Sequence, residues 1–263
     1  MVVSHNRVEL LRRGLQALEQ CEDRERLQII VIDNASRDGS ARLETEFPNV
    51  RFSPIPKNVG LTRAMNIGWR AAEAEYLLFL HDDVEVEPQT PRMLADALDA
   101  SAEASAVCPL LIDEAGNPAP QLGELPPDGA FRPAEPAGTD PIPVEYPRGA
   151  ALMVRSFVIR ATRQIDERYG QFGADADIAA QIYRASRKIL LIPGARAIHR
   201  PRGGYTEEER ADFALARAEF ASKYQGFAAS LRVRIGSILG PLVSFRIGEF
   251  MRALSGQKID GNQ

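Results

Sequence analysis

The chain is sparing with the residues that bind soft metals or cross-link a fold. Its 263 residues include two cysteines, Cys21 and Cys108, and three histidines, His5, His81 and His199. The cysteines lie far apart and no His/Cys cluster exists, so a zinc module is excluded and two reduced, buried thiols are expected. Basic residues are not in excess: 32 Lys and Arg stand against 36 Asp and Glu, a formal charge of −4. A general nucleic-acid binder would show the opposite balance. No uncharged apolar run reaches the roughly 18 residues of a spanning helix. A strand signal already at Met1-Val2-Val3 leaves no room for a signal peptide, so a cytoplasmic chain is expected. No Gly-x-Gly-x-x-Gly follows a strand, which removes a nicotinamide dinucleotide site. Internal repeats are absent.

What is present alternates. Strand signals at Val2–Ser4, Leu27–Ile32, Val50–Ser53 and Tyr76–Leu80 are separated by helix patterns at Val8–Leu18, after a turn at 33–39 with Ser36 as N-cap, and at Leu61–Ala72. A helix at Pro91–Ala100 and a strand at Val107–Leu111 follow. Repeated strand–helix units of this length imply an α/β fold, a largely parallel sheet with helices on both faces. The stripe Leu61, Met65 and Trp69 reads as core. From Pro118 to Pro147 the pattern breaks: nine of the eighteen prolines fall there, which predicts irregular structure and a loop or lid. Order resumes at Gly149–Ile159, with a helix at Asp175–Ala185, strands at Ile189–Ile192 and Ala195–His199, and a surface helix at Glu207–Tyr224.

The segment 226–263 differs in kind. Arg232, Arg234, Arg246, Arg252 and Lys258 outnumber Glu249 and Asp260, and Leu231, Ile235, Ile238, Leu239, Leu242, Val243, Phe245, Ile247, Phe250 and Met251 lie between them. Pro241 should kink or break a helix there. Two readings stay open, a segment in a membrane interface or a helix pair packed on the domain.

The run Tyr76–His81 ends in Asp82-Asp83, and it reads as a strand buried on both faces. Acids at the carboxyl end of such a strand sit where open α/β sheets bind ligands, and paired hard oxygens suit Mg²⁺ or Mn²⁺ against nucleotide phosphates. The plain alternative is a strand end that turns in solvent. Ser4 and Asn6, after the first strand, are candidates for a nucleotide edge. Asp33 ends the second strand, where a carboxylate could accept from a pyrimidine N–H or merely close an Asx turn. Arg63 could meet a phosphate.

Five local features fall in order: Val3-Ser4-His5-Asn6-Arg7; Val31–Ser40; Asn58-Val59-Gly60 with Asn66-Ile67-Gly68; His81-Asp82-Asp83; and Asp166-Glu167-Arg168-Tyr169 leading to Gly173–Asp177. Together they resemble the family 2 glycosyltransferases, and within them the bacterial rhamnosyltransferase-like branch, over residues 1–200. The resemblance implies a GT-A fold with a C-terminal helical extension and metal-assisted, inverting transfer from a nucleotide-diphosphate sugar, with dTDP-rhamnose as the branch's donor. It also implies a glycan or polyprenyl-linked acceptor in cell-envelope polysaccharide assembly, and a chain peripheral at the inner face of the plasma membrane. It divides the chain into a nucleotide-sugar half (1–112), a proline-rich loop or lid (113–147), an acceptor half (148–225) and the basic amphipathic tail (226–263).

By the same resemblance Asp83 binds Mg²⁺ or Mn²⁺, His199 is a second metal ligand, and Asp82 meets the ribose. Asp33, Asn58, Gly60, Arg63, Asn66 and Arg148 join Ser4 and Asn6 at the donor, and Asp175 is the catalytic base. Two positions depart from the family pattern: His81 replaces the usual first acid of the Asp-x-Asp stretch, and Ala174 replaces a Glu before the base. Those departures keep a non-catalytic sugar- or nucleotide-binding relative in view. A nucleotidyltransferase is the other alternative, although Ser4–Arg7 lacks the glycine its phosphate loop would want.

Overall fold

The computed structural model describes residues 1–201, 203–243, 246–256 and 258–259. Arg202, Phe245 and Asp260, with the side chains of Leu242 and Val243, lie outside what is described. In chain order the elements are β1 (Val2–Ser4), α1 (Val8–Glu19), β2 (Ile30–Asp33), α2 (Leu43–Glu46), β3 (Arg51–Pro54), α3 (Leu61–Arg70), β4 (Tyr76–His81), β5 (Val84–Val86), α4 (Thr90–Ala100) and β6 (Ala104–Ile112). The second half adds β7 (Pro120–Gly123), β8 (Arg132–Pro133), β9 (Ile142–Val144), β10 (Tyr146–Pro147), β11 (Ala151–Arg155), α5 (Ser156–Ala161), α6 (Ala174–Arg184), β12 (Lys188–His199), α7 (Glu207–Tyr224), α8 (Phe227–Val243) and α9 (Ile247–Ser255).

The main sheet runs β3-β2-β1-β4-β11-β6-β12-β5, with β9 beside β12. The first four strands pair in parallel, as the strand–helix alternation predicts. Beyond β4 the sheet is mixed: β11 runs antiparallel to both β4 and β6, while β12 is parallel to β6 and antiparallel to β5 and β9. Two residues, Asp82 and Asp83, join β4 to β5, yet three strands stand between those two in the sheet. The sheet therefore curls, and the acids sit at its seam. Apolar residues cover both faces. Leu77, Phe79, Cys108, Leu152 and Val154 pack with Ile178 and Ile182 of α6 and Phe220 of α7, while Val2, Val31, Leu80 and Leu111 pack with Leu11 and Leu15 of α1. Cys21 and Cys108 are free and buried, and burial pushes the Cys108 thiol up to about 12.

Several expectations change. Ser36 caps no helix: α2 begins only at Leu43, and the Ser36 hydroxyl accepts from the Asn6 N–H. In β4, Leu77, Phe79 and Leu80 are buried, but Tyr76, Leu78 and His81 are half-buried. Helix α3 buries Thr62, Ala64, Asn66 and Gly68, and Met65 and Trp69 pack at the edge of the core. The small side chains face the sheet because the helix lies close to it; a Cβ on Gly68 would collide with Met1 and Ile32. The proline-rich stretch is not irregular throughout. β7, β8 and β10 form a small antiparallel sheet, and proline is tolerated because strands so short and near an edge need few N–H donors. The buried Gln121 side chain ties β7 to β6, accepting from the Leu111 N–H and donating to the Pro109 carbonyl. The two strands expected around residue 193 are one strand, β12, with an irregularity between Ile192 and Arg196. Helix α7 is no plain surface helix: Leu215, Ala218, Phe220 and Ala221 are buried. Helices α8 and α9 pack beside it, through Ser230 to the Ala218 carbonyl and through an Arg210–Glu249 ion pair. Pro241 lies inside α8. No described helix is long and apolar enough to cross a membrane.

Candidate active site

The sheet brings five strand ends together. Val3 pairs with His81, Ser4 with Asp33, and Val84, just past the two acids, with His199. Asp82 and Asp83 are both buried, at 8% and 5% exposure, which is costly for carboxylates without partners. Their partners differ. Asp82 accepts from the Ser4 hydroxyl at 2.9 Å through Oδ2 and from Arg7 at 3.1 Å through Oδ1. Asp83 accepts from the same Arg7 nitrogen at 2.8 Å through Oδ2 only. Its Oδ1 is buried with no hydrogen-bond partner among the described residues. That oxygen faces His199 Nε2 at 3.6 Å and His81 Nδ1 at 3.9 Å. Burial raises the Asp83 carboxyl, but His199, His81 and Arg7 outweigh it and hold the group at about 2. Asp82 has fewer cations near it, and burial raises its carboxyl above the usual range.

A divalent cation fits these donors on the evidence of their own atoms. A buried, charged oxygen without a proton donor, facing two imidazole nitrogens, is an arrangement a cation completes. His81, Asp83 and His199 offer ligand atoms within 4.8 Å of one another. Arg7 and His81 were not among the site candidates read from the sequence. Arg7 lies in the Ser4–Arg7 stretch, but nothing in its spacing shows that it bridges two acids 75 residues onward.

The donor-side loops are tied to each other. Asn6, in the left-handed region at φ 54°, accepts from the Arg37 N–H at 2.7 Å, and Asp38 accepts from the Val8 N–H at the start of α1. Asp33 is buried and its Oδ1 accepts from the Ser36 N–H, an Asx-type turn. Asn58 accepts from the Asn34 amide and from the Gly60 N–H, while Asn34 accepts from the Val59 N–H. Gly60 has φ 82°, a conformation that disfavours any side chain. These residues ring the strand ends.

Two candidates do not gather there. Asn66 is fully buried. Its amide donates to the Ile165 carbonyl and to Glu167, and its oxygen accepts from the Ile165 N–H and Trp69 Nε1. That saturated set clips α3 to the loop before α6 and leaves no group for a donor. Arg63 is half-exposed and faces Glu167 at 3.5 Å, not a phosphate site.

Asp175 lies in the first turn of α6, whose N-cap is Gly173 rather than Asp175 itself. Its Oδ2 accepts from the Gly149 N–H at 3.0 Å and its Oδ1 from the Ala176 N–H at 2.8 Å. Gly149 is required for this approach, because a Cβ there would stand 2.7 Å from the Asp175 Cβ. Asp175 is also near enough to His81 for its charge to act on the imidazole. Burial and the charge of Asp175 push the Tyr146 phenol well above its ordinary value. Arg148 lies over the Phe131 ring at 4.9 Å and donates to the Tyr205 hydroxyl and the Pro120 carbonyl.

The curled mixed sheet with its C-terminal helices has the GT-A fold. The Glycosyl transferase family 2 model matches residues 1–158, and the chain belongs to that family. Among solved structures, GalNAc-T7 crystallised with UDP, GalNAc and Mn²⁺ is 17% identical with a TM-score of 0.72, over 97% of this chain and 55% of that one. S. aureus TarS 1-349 in complex with UDP is 14% identical with a TM-score of 0.60, over 96% of this chain and 79% of that one. The chain thus spans about half the length of the GalNAc-T7 chain. No curated protein matches the sequence.

Proposed function

We propose that the chain transfers a sugar from a nucleotide-diphosphate donor with inversion, assisted by a divalent cation held at Asp83, His199 and His81. The observation that carries this reading is the buried Asp83 Oδ1, without a hydrogen-bond partner among the described residues and facing His199 Nε2 and His81 Nδ1. A cation bound there supplies Lewis-acid stabilisation of the leaving diphosphate. The chain's own residues do the rest. Arg7 and Ser4 hold Asp82 and Asp83 in fixed rotamers. Asp33, Asn58, Gly60, Ser4 and Asn6 line the nucleotide side, and Arg148 stands where acceptor and diphosphate meet. Asp175, oriented by two backbone N–H groups, takes the proton from the attacking hydroxyl. The finer donor reading, a rhamnosyl group on dTDP, rests on the motif resemblance; a ligand-induced thermal-shift screen of UDP-, GDP- and dTDP-sugars with Mn²⁺ selects among them.

Asp175→Asn tests the base. Donor affinity, read by calorimetry, should be unchanged, and transfer should fall by about 10²–10⁴. A variant that still transfers at the wild-type rate removes Asp175 from that role.

The acceptor is proposed to be a glycan or polyprenyl-linked chain at a membrane surface. Phe227, Leu231, Ile235 and Leu239 recur every fourth residue along α8 and all are exposed, Phe227 at 80%. On a helical projection Arg232 and Arg234 flank this stripe, which is the pattern of an interfacial helix facing anionic lipid. Leu231→Glu with Ile235→Glu should release the protein from anionic vesicles in flotation without altering its melting; unchanged flotation rejects the membrane face.

A further inference from the structure

We infer that Asp212 is a positioning residue for the transfer reaction: one buried carboxylate, shared between the loop before α6 and the segment Lys258–Ile259 after α9, fixes the direction of Asp175. The inference rests on the proposed role of Asp175 as base and adds a residue that touches neither donor nor acceptor. Asp212 lies on α7 and is 1% exposed. Its Oδ2 accepts from the Gln171 N–H at 2.9 Å, and its Oδ1 from the Ile259 N–H at 2.9 Å. Burial raises its carboxyl, and backbone N–H groups from both segments, with the charge of Lys258, oppose that rise.

The loop has no slack against this carboxylate. A Cβ on Gly170 would stand 2.6 Å from Asp212 Oδ1. On the other side Thr62 of α3 donates to the Gly170 carbonyl at 2.9 Å, so α3 and α7 clamp the loop between them. Lys258 adds a second tie, donating to the Arg168 carbonyl while it faces Glu219 of α7 at 3.6 Å. The clamped loop runs directly into α6. Gly173, at φ 93°, is the N-cap, and Asp175 lies in the first turn. A shift of the loop therefore turns Asp175 away from the Gly149 N–H that orients it. Displacing a reacting group by about 1 Å can cost roughly 10²-fold in rate. The loop also carries Phe172, edge to face with Tyr205 at 5.5 Å, and Tyr205 accepts from Arg148. One carboxylate thus links the chain leaving α9 to both sides of the acceptor region.

Gly149 supplies a readout that a merely local tie would not move. Its N–H donates to Asp175 from a separate segment, so its exchange with solvent reports whether Asp175 keeps its direction. Amide exchange is followed by NMR on the full chain, with Asp175→Ala marking the rate when that acceptor is gone. Asp212→Asn turns an amide toward one of the two N–H donors, and Ile259→Pro deletes one donor. Each should raise Gly149 exchange roughly three- to tenfold, the equivalent of one hydrogen bond. Ile259→Ala keeps the N–H and should match wild type. Nucleotide release from UDP-, GDP- and dTDP-sugars with Mn²⁺, water serving as acceptor, should fall about 10–10²-fold in kcat in both variants, with donor KM unchanged.

Gly149 exchange unchanged in Asp212→Asn and Ile259→Pro, while Gln171 exchange rises, overturns the inference: Asp212 then only ties loop to tail. A rise at Gly149 with kcat unchanged overturns it as well. If Asp175→Asn instead turns over at the wild-type rate, the base reading falls, and Gly149 exchange still decides whether Asp212 directs that side chain.

Discussion

Two of the places where the molecule buries acid are treated oppositely. At one, Asp177 is fully buried and receives the Tyr224 hydroxyl at 2.7 Å, the Gln181 amide at 2.6 Å and Lys223 at 2.8 Å, with Lys223 also reaching Asp166 at 2.9 Å. At the other, Asp82 and Asp83 share a single arginine, and one oxygen of Asp83 has no hydrogen-bond partner among the described residues. A cavity of about 760 Å³, lined by Asp166, Gln181, Lys223 and Tyr224, opens beside the first cluster. A saturated charge network holds structure together, while an unsatisfied one is arranged for something the protein does not itself supply.

The contrast can be broken from either side. The largest effect is expected at the saturated cluster. Asp177→Ala leaves Lys223 and Tyr224 facing a vacated buried site and should cost about 3–5 kcal/mol in urea denaturation, with Mn²⁺ affinity unchanged. At the other cluster the sign depends on the ion. Mn²⁺ at about 100 times its Kd should stabilise wild type by about 2.7 kcal/mol, a gain that Asp83→Asn abolishes and that chelator reverses. Acid sharpens the difference further. Burial raises Asp166, but Arg168 and Lys223 outweigh it and hold its carboxyl below the ordinary range. Its contribution is therefore present above the unfolded value, about 3.9, and lost as pH falls below it. Denaturation midpoints from pH 5 to pH 2 should drop more steeply for wild type than for Asp166→Asn. The smallest effect is expected at Arg63. Its half-exposed pair with Glu167 is worth about 0.2–1 kcal/mol, so Arg63→Ala should shift the midpoint slightly and leave donor affinity unchanged.

Local pattern carried much of this molecule. The helix at Val8–Glu19 follows from its apolar period, and β1, β2 and β4, with the acids after β4, follow from short apolar runs bounded by turn residues. Asp83, His199 and Asp175 were singled out by resemblance to family motifs, not by any spacing that brings them together. Asn66 shows where such reading fails. As a residue type in a turn-rich motif it looks available to a ligand, and only its contacts with Ile165 and Glu167, about a hundred positions later, show that its amide is spent on packing.

Sequence alone fixed which segments alternate, which acids end strands, and that residue 81 is a histidine. The tertiary structure decided that β5 returns along β12, so that His199 comes beside Asp83 and Asp175 beside Gly149. Such juxtapositions depend on sheet curl and on pairings between residues distant in the chain, more than a hundred positions for Val84 and His199. They are set by the packing of the whole chain, and no short stretch of sequence contains them.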